Sequence, residues 1–268
     1  MRRLIHTALL CALAALPLAQ PAGASDLDER RVVPAGTLPA VGLLVGNGGR
    51  CTGFLTGSDR VIVTAAHCVF KRTDGTASQD VFEFQPGYRN GSSTGVFRAH
   101  VIANGDFHFP DAQLPVEQVA SQDWAILLTD KPTGIAPLNL AADVTINQLA
   151  DKPLSYVGYS VDVEDGRVPT EDASCRVIGT EALRIDHSCR GSPGSSGGPI
   201  FLLNPDGSRG PVVGVVSSAS ISSTSERLVI TNIRLLAAMR TLPDIDFGGH
   251  AAFIGAFLNA TKALSTTH

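Results

Sequence analysis

Runs of basic residues are missing from this sequence. Its 21 Lys and Arg are outnumbered by 25 Asp and Glu, and pairs such as Arg30-Arg31 stay local. Without a basic stripe there is no electrostatic footprint for a phosphate backbone, so nucleic acid is not expected as a partner. Beyond the N-terminus no segment approaches the roughly 20 apolar residues needed to cross a bilayer, so no membrane span is expected. No C-x-x-C or H-x-x-x-H spacing occurs, which removes the common zinc frameworks; no metal and no organic cofactor are expected. Internal repeats and low-complexity tracts are absent too. At 44% hydrophobic and 17% charged over 268 residues, the chain holds enough apolar material for one large core or two modest ones, which excludes disorder as its main state.

The N-terminus reads as an export signal. Met1-Arg2-Arg3 is followed by an apolar stretch from Leu4 to Leu18 and by Ala22-Gly23-Ala24 before Ser25, which predicts cleavage after Ala24 and a secreted protein, extracellular or periplasmic. The stretch is short for a membrane anchor and carries His6. Cys11 lies inside it and leaves with it. Cys51, Cys68, Cys175 and Cys189 remain, an even number bound for an oxidising compartment. Three pairings are open. The sequence-local one, Cys51 with Cys68 and Cys175 with Cys189, would close two loops of about 15 residues, each worth roughly 3 kcal/mol in the chain-entropy account.

From Val41 onward, short apolar runs alternate with Gly, Pro, Asn, Asp and Ser; Val41-Gly42-Leu43-Leu44-Val45, Arg60-Val61-Ile62-Val63-Thr64, Ala125-Ile126-Leu127-Leu128 and Val212-Val213-Gly214-Val215-Val216 are examples. These read as strands. With 27 Gly and 16 Pro available for turns, many short strands indicate an all-β barrel or sandwich. One helix is expected near residues 228–240, where Ile230, Ile233, Leu236 and Met239 recur every three residues until Pro243 intervenes. Residues 25–35 read as a polar, basic arm or a short pro-segment with a candidate processing site at Arg30-Arg31.

Three runs carry chemistry. His67 follows an apolar strand in Thr64-Ala65-Ala66-His67-Cys68, Asp123 precedes the buried-looking Trp124-Ala125-Ile126-Leu127, and Ser196 lies in Gly194-Ser195-Ser196-Gly197-Gly198-Pro199. A serine hydroxyl is a weak nucleophile at neutral pH. It needs an imidazole to take its proton, and the imidazole needs a carboxylate to hold its tautomer. A carboxylate buried at a strand mouth costs several kcal/mol unless it is paired, and a histidine N–H is a suitable partner. The glycines around Ser196 allow a tight turn with exposed amides, from which Gly194 and Ser196 could form an oxyanion hole. The same residues also fit the G-x-S-x-G elbow of α/β-hydrolase esterases. That fold places its acid and histidine after the serine on alternating strands and helices, whereas only His250 and His268 follow Ser196.

Taken together, Cys51-Thr52-Gly53-Phe54-Leu55, the His67, Asp123 and Ser196 runs and Val213-Gly214-Val215-Val216-Ser217 resemble the chymotrypsin-fold (trypsin-like) serine proteases. The resemblance covers about residues 40 to 240 and is nearest to secreted bacterial members related to glutamyl endopeptidases. It implies two antiparallel six-stranded β-barrels, at 36–145 and 146–241, with a C-terminal helix and a tail at 242–268. It also implies a Cys51–Cys68 bridge and a triad of His67, Asp123 and Ser196 in the cleft. The expected substrate is a protein or peptide, and the expected state a monomer. Ser217 resembles the serine that supports the triad carboxylate. Ser217, Ser218 and Ala219 resemble the edge that pairs with an extended substrate.

Two departures qualify the resemblance. Digestive members carry an Asp before the nucleophile that pairs with a new N-terminus on activation, and here that position is Ser195. Arg190, Gly191 and Ser192 are the candidates for the specificity pocket. Arg190 turned inward would favour an acidic residue before the cut, and turned outward would leave a neutral pocket. The strand at Val215-Val216-Ser217 lacks the histidine of the glutamate-reading relatives. The alternative reading of the chain is a catalytically silent binding protein of the same fold.

Overall fold

Among the described residues, the short apolar runs between turn residues form twelve strands. The computed structural model describes residues 28–46, 49–70, 78–104, 123–141, 146–181 and 184–217. The expected signal peptide, the helix at 228–240, the tail, Ser218 and Ala219 lie outside them. Strands β2 (Val41–Gly46), β3 (Gly49–Leu55), β4 (Val61–Thr64), β5 (Phe82–Pro86), β6 (Phe97–Asn104) and β7 (Ala125–Thr129) close into a barrel in the order β2-β3-β4-β7-β6-β5. A second, six-stranded antiparallel sheet contains β1 (Arg31–Val32), β8 (Pro153–Gly158), β9 (Thr170–Glu181), β10 (Arg184–His187), β11 (Pro199–Leu203) and β12 (Arg209–Val215). Its order is β1-β9-β8-β11-β12, with β10 also on β9. The all-β class expected from the sequence holds, and helical structure among the described residues is limited to 3-10 turns. No helix among them is long and apolar enough to cross a membrane.

Both faces of the central strands are buried, which is why they read as unbroken apolar runs rather than alternating ones. In β4, Ile62 packs inside the closed barrel with Leu44, Leu55, Phe82, Phe84 and Leu127. Its neighbours Val61 and Val63 point the other way, into a core shared by the two sheets with Phe54, Trp124, Ile126, Val157, Tyr159, Phe201 and Val215. A third cluster, Leu154, Tyr156, Val177, Ile185 and Ile200, fills the second sheet around Cys175 and Cys189. Of the three open cysteine pairings the structure contains the local one, Cys51–Cys68 and Cys175–Cys189. The polar arm is paired from its seventh residue after Ala24: Arg31 lies opposite Glu171, and buried Val33 donates its N–H to the Pro169 carbonyl.

One residue ties the two sheets together at their junction. Thr52, on β3 and fully buried, donates its N–H to the Ser196 carbonyl at 2.8 Å. Its hydroxyl donates to the Gly194 carbonyl at 2.9 Å and accepts the Tyr159 N–H at 3.0 Å. Its own carbonyl accepts the Thr64 hydroxyl from β4 at 2.7 Å. Every polar atom of Thr52 is therefore used, and two of its bonds cross from the closed barrel to the loop before β11.

His187, at the end of β10, is wholly buried. Its Nδ1 accepts the Cys189 N–H at 3.0 Å, so Nε2 carries the proton, and that atom meets no acceptor among the described residues. Burial pushes the imidazole down to a pKa of about 3.

Thr52→Val keeps the shape and removes the hydroxyl, stranding the Tyr159 N–H in the interior; a loss of about 1–3 kcal/mol is expected. Thr52→Ser should lose less. Thermal melts check this, and a valine variant that melts with the wild type would leave the hydroxyl no role. For His187, the folded protein binds fewer protons than the unfolded chain between pH 6.5 and about 3. Stability from this group is complete above about pH 6.5 and drains away as pH falls, by up to about 1.4 kcal/mol per unit. His187→Asn, which keeps an acceptor for Cys189, should melt with a shallower pH dependence between pH 6.5 and 4; parallel curves would rule the imidazole out.

Candidate active site

The site grows from two strand pairings of the same kind. In the closed barrel β4 and β7 run antiparallel with Thr64 opposite Ala125, so the end of β4 lies beside the start of β7. His67 stands just past the first, in the 3-10 turn Ala66–Cys68, and Asp123 just before the second. In the other sheet β11 and β12 pair with Pro199 opposite Val215, which sets Ser196, before β11, beside Ser217, after β12. Each pairing delivers two polar side chains at a strand end, where the backbone leaves the sheet. The two ends meet across the junction that Thr52 ties.

Asp123 is 3% exposed, and its carboxylate is fully engaged. Oδ1 accepts the backbone N–H of His67 at 2.8 Å, and Oδ2 lies 2.7 Å from His67 Nδ1. Oδ2 also accepts the hydroxyl of buried Ser217. Burial alone would raise the Asp123 pKa. The charge and hydrogen bond of the His67 ring, the Ser217 hydroxyl and the His67 amide outweigh it and hold the carboxyl below its ordinary value. The acid is thus ionised at neutral pH, and Nδ1 of His67 is the protonated nitrogen that faces it. Cys68, beside His67, is bridged to Cys51, so the turn that carries the imidazole is bonded covalently to β3.

The Ser196 carbonyl, besides its bond to Thr52, lies 3.9 Å from Cys68 Sγ, which brings the serine to the His67 turn. Around it the backbone is shaped by two glycines in left-handed conformations. At Gly197 (φ +83°) a Cβ would stand 2.1 Å from the Thr64 hydroxyl and 2.2 Å from the Thr52 carbonyl; at Gly194 (φ +92°) it would stand 2.5 Å from the Tyr159 carbonyl. No side chain fits at either position. The amides of Gly197 and Gly198 are spent on the Val216 and Ser195 carbonyls. The amides of Gly194 and Ser196 donate to no acceptor among the described residues, which is the arrangement an oxyanion needs. Ser195 is buried, with its hydroxyl and amide on the Ser192 carbonyl and its own carbonyl accepting the Tyr156 hydroxyl.

The expected pocket residues precede this turn. The Arg190 amide is held by the Asp172 carboxylate at 2.7 Å. The bonded Arg30 guanidinium, with a smaller contribution from the Arg190 charge, lowers the Asp28 carboxyl to about 2. The Ser192 hydroxyl donates to Asp162 at 2.5 Å, and Gly191 follows Arg190 in the same loop. Ser217 supports Asp123; Ser218 and Ala219 lie outside the described residues. Cys51, His67 and Cys68 cluster closely enough to suggest a metal site, but both cysteines are consumed in the bridge, and a disulfide sulfur is no thiolate ligand. Sequence reading missed Thr52, Tyr156, Asp162 and Asp172. Thr52 stood inside the quoted Cys51-Thr52-Gly53 run, whereas nothing near the other three marks them.

The model of the trypsin-like peptidase domain family matches residues 51–215, and no curated protein sequence matches significantly. Among solved structures, a Glu endopeptidase superposes with a TM-score of 0.63 at 18% identity, over 89% of this chain and 98% of that one. A thermostable serine protease from an extremophilic microorganism gives 0.57 at 20% identity, over 88% and 100%. The protease Anisep from Arthrobacter nicotinovorans gives 0.56 at 16% identity, over 78% and 96%. At these identities the structures speak for the fold, while the family match takes in the His67 turn, Asp123 and the Ser196 loop. The chain belongs to the trypsin-like peptidase domain family.

Proposed function

We propose that this peptidase is a secreted serine endopeptidase with Ser196 as nucleophile, His67 as general base and then acid, and Asp123 as the group that orients His67. The observation that carries the reading is the fully bonded Asp123–His67 pair beside a turn whose Gly194 and Ser196 amides lack acceptors among the described residues. His67 accepts the Ser196 hydroxyl proton as Oγ attacks the scissile carbonyl, and the two amides take the developing oxyanion. The same proton then passes to the leaving amine, which departs and leaves an acyl-enzyme on Ser196. Water, deprotonated by His67, releases the acid and restores the serine. No step calls for a metal or an organic cofactor.

Export is supported by the N-terminal signal and by two disulfides, which persist in oxidising compartments. The division into halves at 36–145 and 146–241, an arm at 25–35, a tail at 242–268 and a monomeric state belong to this reading. The silent-binder alternative gains nothing from a carboxylate and imidazole so completely arranged, and the α/β-hydrolase alternative needs alternating helices that the described residues lack.

For specificity, the polar groups of the candidate pocket residues are engaged within the fold. The Ser192 hydroxyl is taken by Asp162, Asp172 is occupied by the amides of Arg190 and Ser174, and the Arg190 charge acts on Asp28 of the arm. The residue before the scissile bond should therefore be uncharged.

An active-site phosphonate should label folded wild-type protein on Ser196 and leave Ser196→Ala unlabelled; absence of the adduct in folded wild type would favour the binding protein. Asp123→Asn should keep the fold and lower kcat by about 10⁴-fold through the wrong His67 tautomer. Profiling with a peptide library should show cuts after uncharged residues, and dominant cleavage after Glu, Lys or Arg would refute the neutral pocket.

A further inference from the structure

Arg30 is lodged in the fold. Its side chain is 6% exposed, although the two carboxylates it joins, Asp28 and Asp162, are 44% and 46% exposed. It grips Asp162 with both terminal nitrogens, at 2.9 and 2.7 Å, and Asp28 through Nε and Nη2. Exposed ion pairs contribute little on average, because two long side chains must be immobilised. Here a planar guanidinium matches two carboxylates at once, and the backbone just beyond it is already tied: β1 pairs with β9, and Val33 is bonded through both its N–H and its carbonyl, to Pro169 and Arg89.

Asp162 continues the chain of contacts inward. Its carboxylate accepts the Ser192 hydroxyl at 2.5 Å, and its N–H donates back to the same oxygen at 3.3 Å. The preceding Val161 N–H holds the Pro193 carbonyl at 3.0 Å. The Ser192 carbonyl then takes both the N–H and the hydroxyl of Ser195. The segment 192–195 is thereby pinned from the 159–162 side, with Gly194 packed against the Tyr159 carbonyl. A carboxylate at position 195 that could anchor this turn to a chain terminus is absent, and Ser195 points at its own loop.

Resting on the serine-peptidase reading above, we propose that Arg30 is a positioning residue. It holds Asp162, Asp162 holds Ser192, and Ser192 fixes the turn whose Gly194 and Ser196 amides form the oxyanion hole.

The test uses the full exported chain with Arg30→Ala, Arg30→Lys, Asp162→Asn and the Arg30→Ala/Asp162→Asn pair. The readouts are kcat and KM on a peptide amide, the rate of phosphonate labelling, and the melting temperature. Loss of one oxyanion donor outright costs about 10²–10³-fold in kcat. Arg30→Ala, which only loosens the turn, should lower kcat and the labelling rate together by about 10- to 100-fold, with KM within about threefold. Asp162→Asn, a conservative change at a half-exposed position, should match it and serves if Arg30→Ala folds poorly. The pair should be no worse than either alone. Arg30→Lys should recover part of the loss, because an ammonium lacks the second arm of the fork. Wild-type kcat in either folded single variant, or a loss confined to KM or to the fraction of folded protein, overturns the positioning role. A wild type that takes no phosphonate would instead refute the serine-peptidase reading itself.

Discussion

The working end of this protein depends on Thr52. Ser196, the proposed nucleophile, belongs to the second sheet and His67 and Asp123 to the closed barrel, so their alignment cannot be better than the junction between the two sheets. Apolar packing through Phe54, Trp124, Val157 and Phe201 holds that junction together, but packing is non-directional and would tolerate small sliding. Thr52 removes the freedom to slide. Its amide and hydroxyl reach two carbonyls of one turn, Ser196 and Gly194, and bonds to alternate residues fix a turn in orientation as well as place. The neighbouring bridge from Cys51 to Cys68 runs from the same strand to the imidazole's own turn. One short stretch of β3 thus holds both the Ser196 turn and the His67 turn.

Burial and charge are reconciled in the same place. Asp123 sits where an ionised group is costly, and the cost is met by three donors: the His67 ring, the His67 amide and the Ser217 hydroxyl. None of these is adjustable, since the first two belong to a turn bridged to β3 and the third follows directly on β12. The carboxylate is held ionised by the groups bonded to it. His187 shows the opposite solution, a titratable ring buried beside a disulfide and kept neutral, its proton unshared among the described residues.

The legible parts of the molecule were those written in contiguous residues. The runs around His67, Asp123 and Ser196 each announce a role locally, and their order separates this fold from the esterase fold that shares G-x-S-x-G. The doubly buried strands were legible as apolar runs. The cysteine pairing was open to three solutions, and which one forms depends on β3 lying beside the His67 turn. Arg30 shows why the rest was hidden. In sequence it is one of two arginines in a polar arm, and only pairing of Arg31 with Glu171 and the approach of Asp162, 132 residues away, bury it. Thr52 reads as an ordinary strand residue because a clamp and a core threonine are the same letter.

The bond between Ser217 and Asp123 spans 94 residues, and distance along a chain is also delay in synthesis. A ribosome adding about 5–20 residues per second finishes the strand before Asp123's last donor several seconds after Asp123 itself. Throughout that interval the emerging chain carries His67 and Asp123 without Ser196, and then Ser196 without the Ser217 hydroxyl on Asp123. A peptidase whose proposed centre draws on residues so far apart in the chain cannot complete it until late in synthesis.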